Sequence, residues 1–232
     1  YNIEELNGKK AYVIAPFHVS ENHPIVVLNP DTELILPIPD GESLTSHYNF
    51  DYSEPTEDYK QHFDAFIDEL KKDRFNKLVL SRDKKIKKGN GFSIESAFNS
   101  ACRKYIHSYV YVFHTPQTGI WLGCTPEILL SRKYNLWNTV ALAGTQLQVN
   151  GKLPETWDEK NKIEQRWVAT YIKDQLLSYG IEASEKGPYT VPAGKVAHLK
   201  SEFTFSLEDE SRLGSLLKLL HPTPAVCGLT KE

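Results

Sequence analysis

Residues 156–180 read TWDEKNKIEQRWVATYIKDQLLSYG, and the reading of this stretch decides the class of fold. Thr156 followed three residues later by Glu159 is a capping box, in which each side chain satisfies a backbone N–H left over at a helix start. A helix is therefore expected from there to about Tyr179, with Gly180 supplying its stop. Outward on the C-terminal side, Val196–Phe205 is β-like, and Ser211–Leu220 reads as a helix ended by the prolines of HPTP at 221–224. On the N-terminal side lie three strand-like runs, Tyr109–His114, Gly119–Cys124 and Trp137–Ala143. Before them a strand is expected over Lys77–Ile86 and a helix over Ser93–Tyr105, with Ile94, Ala97, Phe98, Ala101 and Tyr105 facing inward. A further helix, Thr56–Asp73, gathers Tyr59, Phe63, Phe66, Ile67 and Leu70 on one face, with Thr56 and Asp58 placed to cap it. Apolar β-rich runs at Ala11–Phe17, Ile25–Leu28 and Leu34–Ile38 are separated by Asn, Pro and Asp turn signals. Strands cluster with helices inserted but without strict βαβ alternation. The expected class is α+β, with large, mostly antiparallel sheets and helices packed outside.

Composition narrows what such a fold can do. A net charge of -3 provides no general basic field, so neither nucleic acid nor anionic lipid is an expected partner. The run Lys84-Lys85-Ile86-Lys87-Lys88 reads as a solvated strand end. No apolar run approaches the roughly 20 residues that span a membrane, and the N-terminus is not a signal peptide, so a cytoplasmic protein is expected. Cys102, Cys124 and Cys227 lack metal-site spacing and read as reduced thiols. The 8 histidines form no zinc-type pattern. Methionine is absent even at position 1, which implies a piece of a longer product.

Five places can carry chemistry. In KLVLSR (77–82), alternation puts Lys77, Val79 and Ser81 on one face; Lys77 is either a solvated flank or a lysine in a sheet cleft, where burial disfavours its charged form and lets it act as a base. Glu127, held beside Pro126 between apolar runs, is either an edge carboxylate or a general acid. Glu164, mid-helix beside Ile163 and one turn before Trp167 and Val168, is either solvent-facing or a ligand for Mg²⁺, a hard cation that prefers oxygen. The small-residue turn in ALAGT (141–145) can expose backbone N–H groups that, with the Thr145 hydroxyl, hold a carboxylate. His198, in VAHLKS (196–201), is either a satisfied strand histidine or part of a site.

Taken in this order, KLVLSR (77–82), TPEILLS (125–131), ALAGT (141–145), DEKNKIEQ (158–165), VAHLKS (196–201) and LHPTPAVCG (220–228) resemble the chorismate-binding family. That family includes isochorismate and salicylate synthases and the large subunits of anthranilate and aminodeoxychorismate synthases. The nine-residue block with two prolines is the most specific; residues 1–75 match weakly, and 76–232 carry the resemblance, all within one expected structural domain. The resemblance implies Lys77 as the base that activates water, Glu127 as the acid that protonates the departing hydroxyl, and Glu164 as a ligand of Mg²⁺. It implies Gly144, Thr145 and His198 as the lining of the chorismate pocket. Lys77 stands where anthranilate synthases generally carry Gln, and Ala143 where aminodeoxychorismate synthases commonly carry a nucleophilic Lys. Both favour water as nucleophile, hence an isochorismate synthase for menaquinone or siderophore biosynthesis, monomeric at full length. A salicylate synthase shares the lysine, and a non-catalytic binding homologue is the third possibility. Gln165 stands where many relatives have His, Ser201 where Thr is usual and Thr125 where Ser is commoner. Family members also continue beyond LHPTPAVCG with an Arg/Tyr-containing stretch and a Gly-rich segment bearing Mg²⁺-binding glutamates, and nothing here matches those.

Overall fold

The structure is a computed structural model, and it describes residues 2–6, 10–37 and 56–229. In chain order the elements are β1 (Tyr12–Ile14), β2 (Val26–Leu28), α1 (Glu57–Lys71), α2 (Ile94–Lys104), β3 (Tyr109–Thr115), β4 (Gly119–Thr125), β5 (Ser131–Lys133), β6 (Leu136–Leu147), α3 (Glu159–Ser178), β7 (Ser184–Ala193), β8 (Val196–Phe205), α4 (Leu213–Leu220) and α5 (Pro224–Cys227). Single 3-10 turns lie at Ile3–Glu5 and Glu210–Arg212. Every strand pair is antiparallel, in sheets ordered β1-β2, β3-β4 and β5-β6-β8-β7. This is the expected α+β class. None of the described helices is long and apolar enough to cross a membrane.

The chain divides into two compact units, one made of 1–36 and 127–226, the other of 37–126 and 227–232. The first is built on the four-stranded sheet. Along β8 burial alternates strictly: Ala197, Leu199, Ser201, Phe203 and Phe205 turn inward, while His198, Lys200, Glu202 and Thr204 are only half-buried. Helix α3 covers the inward face with Asn161, Gln165, Val168, Ala169, Ile172 and Leu176, spaced as one helical stripe. The core joins Ala141, Ala143, Val168, Ile172, Leu176, Phe203, Leu216 and Leu220. Ile172 and Leu176 have no exposed surface, and each such burial contributes about 1.5–3 kcal/mol. Helix α4 lies under the N-terminal turn so closely that a Cβ on Gly214 would come within 2.5 Å of the Ile3 carbonyl oxygen.

In the second unit, Thr56 and Ser93 cap α1 and α2 by accepting from the N–H groups of Tyr59 and Ser96. The β3-β4 hairpin carries a row of aromatic rings, Tyr109, Tyr111, Phe113 and Trp121, with neighbouring centroids 5.9, 5.9 and 6.5 Å apart. Gly123 leaves the space that the Tyr111 ring fills.

Several expectations change. The cap of α3 is Asp158, whose side chain accepts from Asn161 N–H, and not Thr156; the helix begins two residues later than the capping-box reading requires. The stop at Gly180 does form: its φ is +81°, Gly180 N–H reaches Leu177 O at 2.9 Å and Ile181 N–H reaches Leu176 O at 2.9 Å. The strand expected over Lys77–Ile86 reduces to one antiparallel bridge, Lys77 with Leu229. Alternation marks a pleated chain, but a strand exists only where a neighbour takes its hydrogen bonds, and the 78–88 segment has no ladder partner among the described residues. Leu34–Pro37 likewise lies outside any ladder, and Ile38 lies outside the described residues. Strand β7 was hidden by Gly187, Pro188 and Pro192, which argue against a central strand; it is an edge strand, where proline is tolerated, and its register slips between Lys186 and Tyr189. Ser211–Leu220 splits into the 3-10 turn and α4.

Candidate functional site

Strand β6 runs in register with β8 from Trp137 opposite Phe205 to Ala143 opposite Leu199, then slips so that Thr145 opposes His198. Gly144 is the extra residue of this bulge. Its φ of +77° suits glycine alone, and a Cβ there would lie 3.1 Å from the Asn161 carbonyl oxygen and 3.2 Å from the Asn161 Cβ. The bulge re-aims the end of β6, bringing the Thr145 side chain over His198 on the half-buried face.

Four residues are then tied together. His198 Nδ1 lies 3.0 Å from the Gly144 carbonyl oxygen and 3.2 Å from Thr145 Oγ1. Thr145 N–H donates to Asn161 Oδ1 at 3.0 Å. The Asn161 N–H and Nδ2 donate to the two oxygens of Asp158, each at 2.8 Å. The backbone N–H of Asn161 is the main reason that the Asp158 carboxyl is held below the usual carboxylate range. The first turn of α3 is thus fastened to the glycine bulge through one carboxamide.

The structure brings together Gly144, Thr145 and His198, the three residues that the sequence reading assigns to a substrate pocket. It alters one part of that reading, because the Thr145 N–H is spent on Asn161 and not offered to an anion. Asn161 and Asp158 were missed as site residues, although Asp-x-x-Asn at a helix start is a capping signal that sequence alone contains.

Glu127 lies in the loop between β4 and β5, half-buried, and accepts from Thr223 Oγ1 at 3.3 Å. Thr223 itself is 4% exposed, so the HPTP block brings a buried hydroxyl to the carboxylate. Glu164 is half-buried at the margin of the inward stripe of α3, between buried Asn161 and Gln165, while Ile163 and Trp167 on its other side are exposed. Gln165 donates through Nε2 to Ser201 Oγ at 2.9 Å, both side chains being buried. On the opposite face of the sheet, Lys200 pairs with Glu202 at 2.7 Å. That bond is the chief reason that the Glu202 carboxyl is lowered.

Lys77 belongs to the second unit and is half-buried. Its backbone is clamped to Leu229: Lys77 N–H reaches Leu229 O at 3.3 Å and Leu229 N–H reaches Lys77 O at 2.8 Å. Gly228, with φ of +93°, permits this approach, since a Cβ there would stand 2.5 Å from the Lys77 carbonyl oxygen. The LHPTPAVCG block thus supplies Thr223 to Glu127 in one unit and Gly228 to Lys77 in the other.

Residues 38–232 match a family model described as chorismate binding enzyme. The isochorismate synthase MenF of Haemophilus influenzae is 28% identical over 181 residues, covering 71% of this chain and 40% of that protein. The isochorismate synthase EntC of Escherichia coli K12 is 27% identical over 132 residues, 53% of this chain and 34% of that one. The solved structure of the DhbC protein from Bacillus anthracis superposes with a TM-score of 0.64 over 74% of this chain and 50% of its own, at 22% identity, which establishes the shared fold. The chain spans about 40% of the length of the first curated relative it matches. With the family model covering most of the sequence, this chain belongs to the chorismate-binding enzymes.

Proposed function

We propose that the full-length protein containing this chain is a cytoplasmic, monomeric isochorismate synthase that converts chorismate to isochorismate with Mg²⁺, for menaquinone or catecholate siderophore biosynthesis. The observation that carries the reading is that curated relatives along this chain, including MenF and EntC, bear that name, while the chain keeps Lys at 77 and Ala at 143. Lys77 takes a proton from the water that attacks C2 of the ring, and Glu127 gives a proton to the oxygen leaving C4. The ring double bonds shift between the two carbons, so one water enters, one leaves and no redox partner is needed. The Thr223 hydroxyl restrains the Glu127 carboxyl for this transfer. Gly144, Thr145 and His198 line the substrate pocket. Mg²⁺, when bound, offsets the charge of the ring carboxylate. Glu164 fits as one of its oxygen ligands, since this ion is commonly held by one or two carboxylates together with water and substrate oxygens.

The test is chorismate turnover by the full-length protein with Mg²⁺, resolving isochorismate, salicylate and pyruvate. Isochorismate is expected, and Lys77→Gln should lower its rate about 100-fold or more, as loss of a general base does. Salicylate with pyruvate would assign a salicylate synthase instead. Folded full-length protein that makes no product would be a binding homologue, and the enzymatic reading would fall.

A further inference from the structure

From the geometry around the glycine bulge we infer that Asn161 is a positioning residue, which sets the tautomer of His198 and thereby the kind of substrate group that His198 can receive. The inference rests on the chorismate reading above and deepens it. A backbone carbonyl has no proton to give, so the 3.0 Å contact between His198 Nδ1 and the Gly144 oxygen is a hydrogen bond only if Nδ1 carries the proton. In the neutral ring Nε2 then holds the lone pair. Both recorded contacts of His198 use Nδ1, and no buried side-chain nitrogen or oxygen among the described residues lacks a partner. Nε2 is therefore open to solvent, as an acceptor. Thr145 Oγ1, 3.2 Å from the same Nδ1, shares that proton as an acceptor and keeps its own O–H to donate.

Nε2 of His198 consequently offers an acceptor. That complements a hydroxyl, which donates and accepts, and not a carboxylate, which only accepts. The group of chorismate with that chemistry is the ring hydroxyl at C4. What holds the Gly144 carbonyl in place is the other end of its own planar peptide group: the Thr145 N–H is fixed by Asn161 Oδ1 at 3.0 Å, and Asn161 is fixed in turn by both oxygens of Asp158. Asn161 touches no reacting atom on this account and acts entirely through the bulge.

The experiment is long-range proton–nitrogen NMR of the histidine rings in the full-length protein without ligand, for wild type and Asn161→Leu, with His198 assigned by His198→Gln. Wild type should show Nδ1–H. Asn161→Leu removes the acceptor of the Thr145 N–H, so it should lose that tautomer and raise the chorismate KM several-fold more than it lowers kcat. An Nε2–H tautomer in wild type overturns the inference, whether or not the variants fold. So does a folded Asn161→Leu protein with His198 unchanged. Because the tautomer is read without chorismate, a protein that holds Nδ1–H but turns over no chorismate sinks the functional reading and leaves the positioning role of Asn161 standing.

Discussion

Tyr189 shows how one side chain reports its surroundings. It opposes Lys200 across the β7-β8 ladder, on the same face as Glu202. Burial pushes its phenol up to about 12, and the hydrogen bond and negative charge of Glu202 add to the effect by penalising a tyrosinate. The folded value lies above the ordinary tyrosine value of about 10, so the folded state holds this proton more tightly than the unfolded chain. The associated stability is fully present below about pH 10 and is lost as pH rises through about 12. Urea unfolding across that alkaline window should therefore fall more steeply for wild type than for Tyr189→Phe, and equal slopes would refute the assignment. Glu202→Gln should bring the Tyr189 titration back toward the ordinary range. Neither residue draws attention in the sequence, because β7 is disguised by its Gly-Pro interruption and a register needs two strands.

Helix α3 shows what a stripe can conceal. Its inward residues are apolar from Val168 to Leu176 but begin with two amides, Asn161 and Gln165. Each amide finds a specific partner on the sheet, Thr145 and Ser201 respectively. Gln165 and Ser201 are partners in one buried hydrogen bond between positions 36 residues apart. Ser201→Ala should cost about 1–3 kcal/mol, because it leaves the Gln165 amide without an acceptor in the interior. Adding Gln165→Leu should recover much of that loss, since an apolar pair leaves nothing unsatisfied. Urea midpoints for the two single variants and the double variant close the cycle; additive costs would mean that the two side chains do not depend on each other.

For the molecule as a unit of folding, open sheet edges matter most. Strands β5 and β7 end the four-stranded sheet, and the β3-β4 hairpin pairs with no third strand among the described residues. Ile120 and Trp121 on that hairpin are 60% and 57% exposed. Unpaired edges and exposed apolar rings favour association. The 232-residue chain made by itself should therefore self-associate in light scattering; monodisperse material with one cooperative unfolding transition would contradict this. Local patterns in the sequence sufficed for the helices that carry their own caps and stops, for strand β8 and the first part of β6, for the α+β class and, through the ordered motifs, for the family. Those features are local or nearly so: a stripe, an alternation or a cap is complete within a dozen residues. It took the folded molecule to show that 77–86 forms a bridge where a strand was expected and that β7 is an edge strand. It alone joined Asn161 to Thr145, Thr223 to Glu127 and Gly228 to Lys77. The reason is physical: a ladder or a buried hydrogen bond is made by two segments at once, and nothing in either segment alone names its partner.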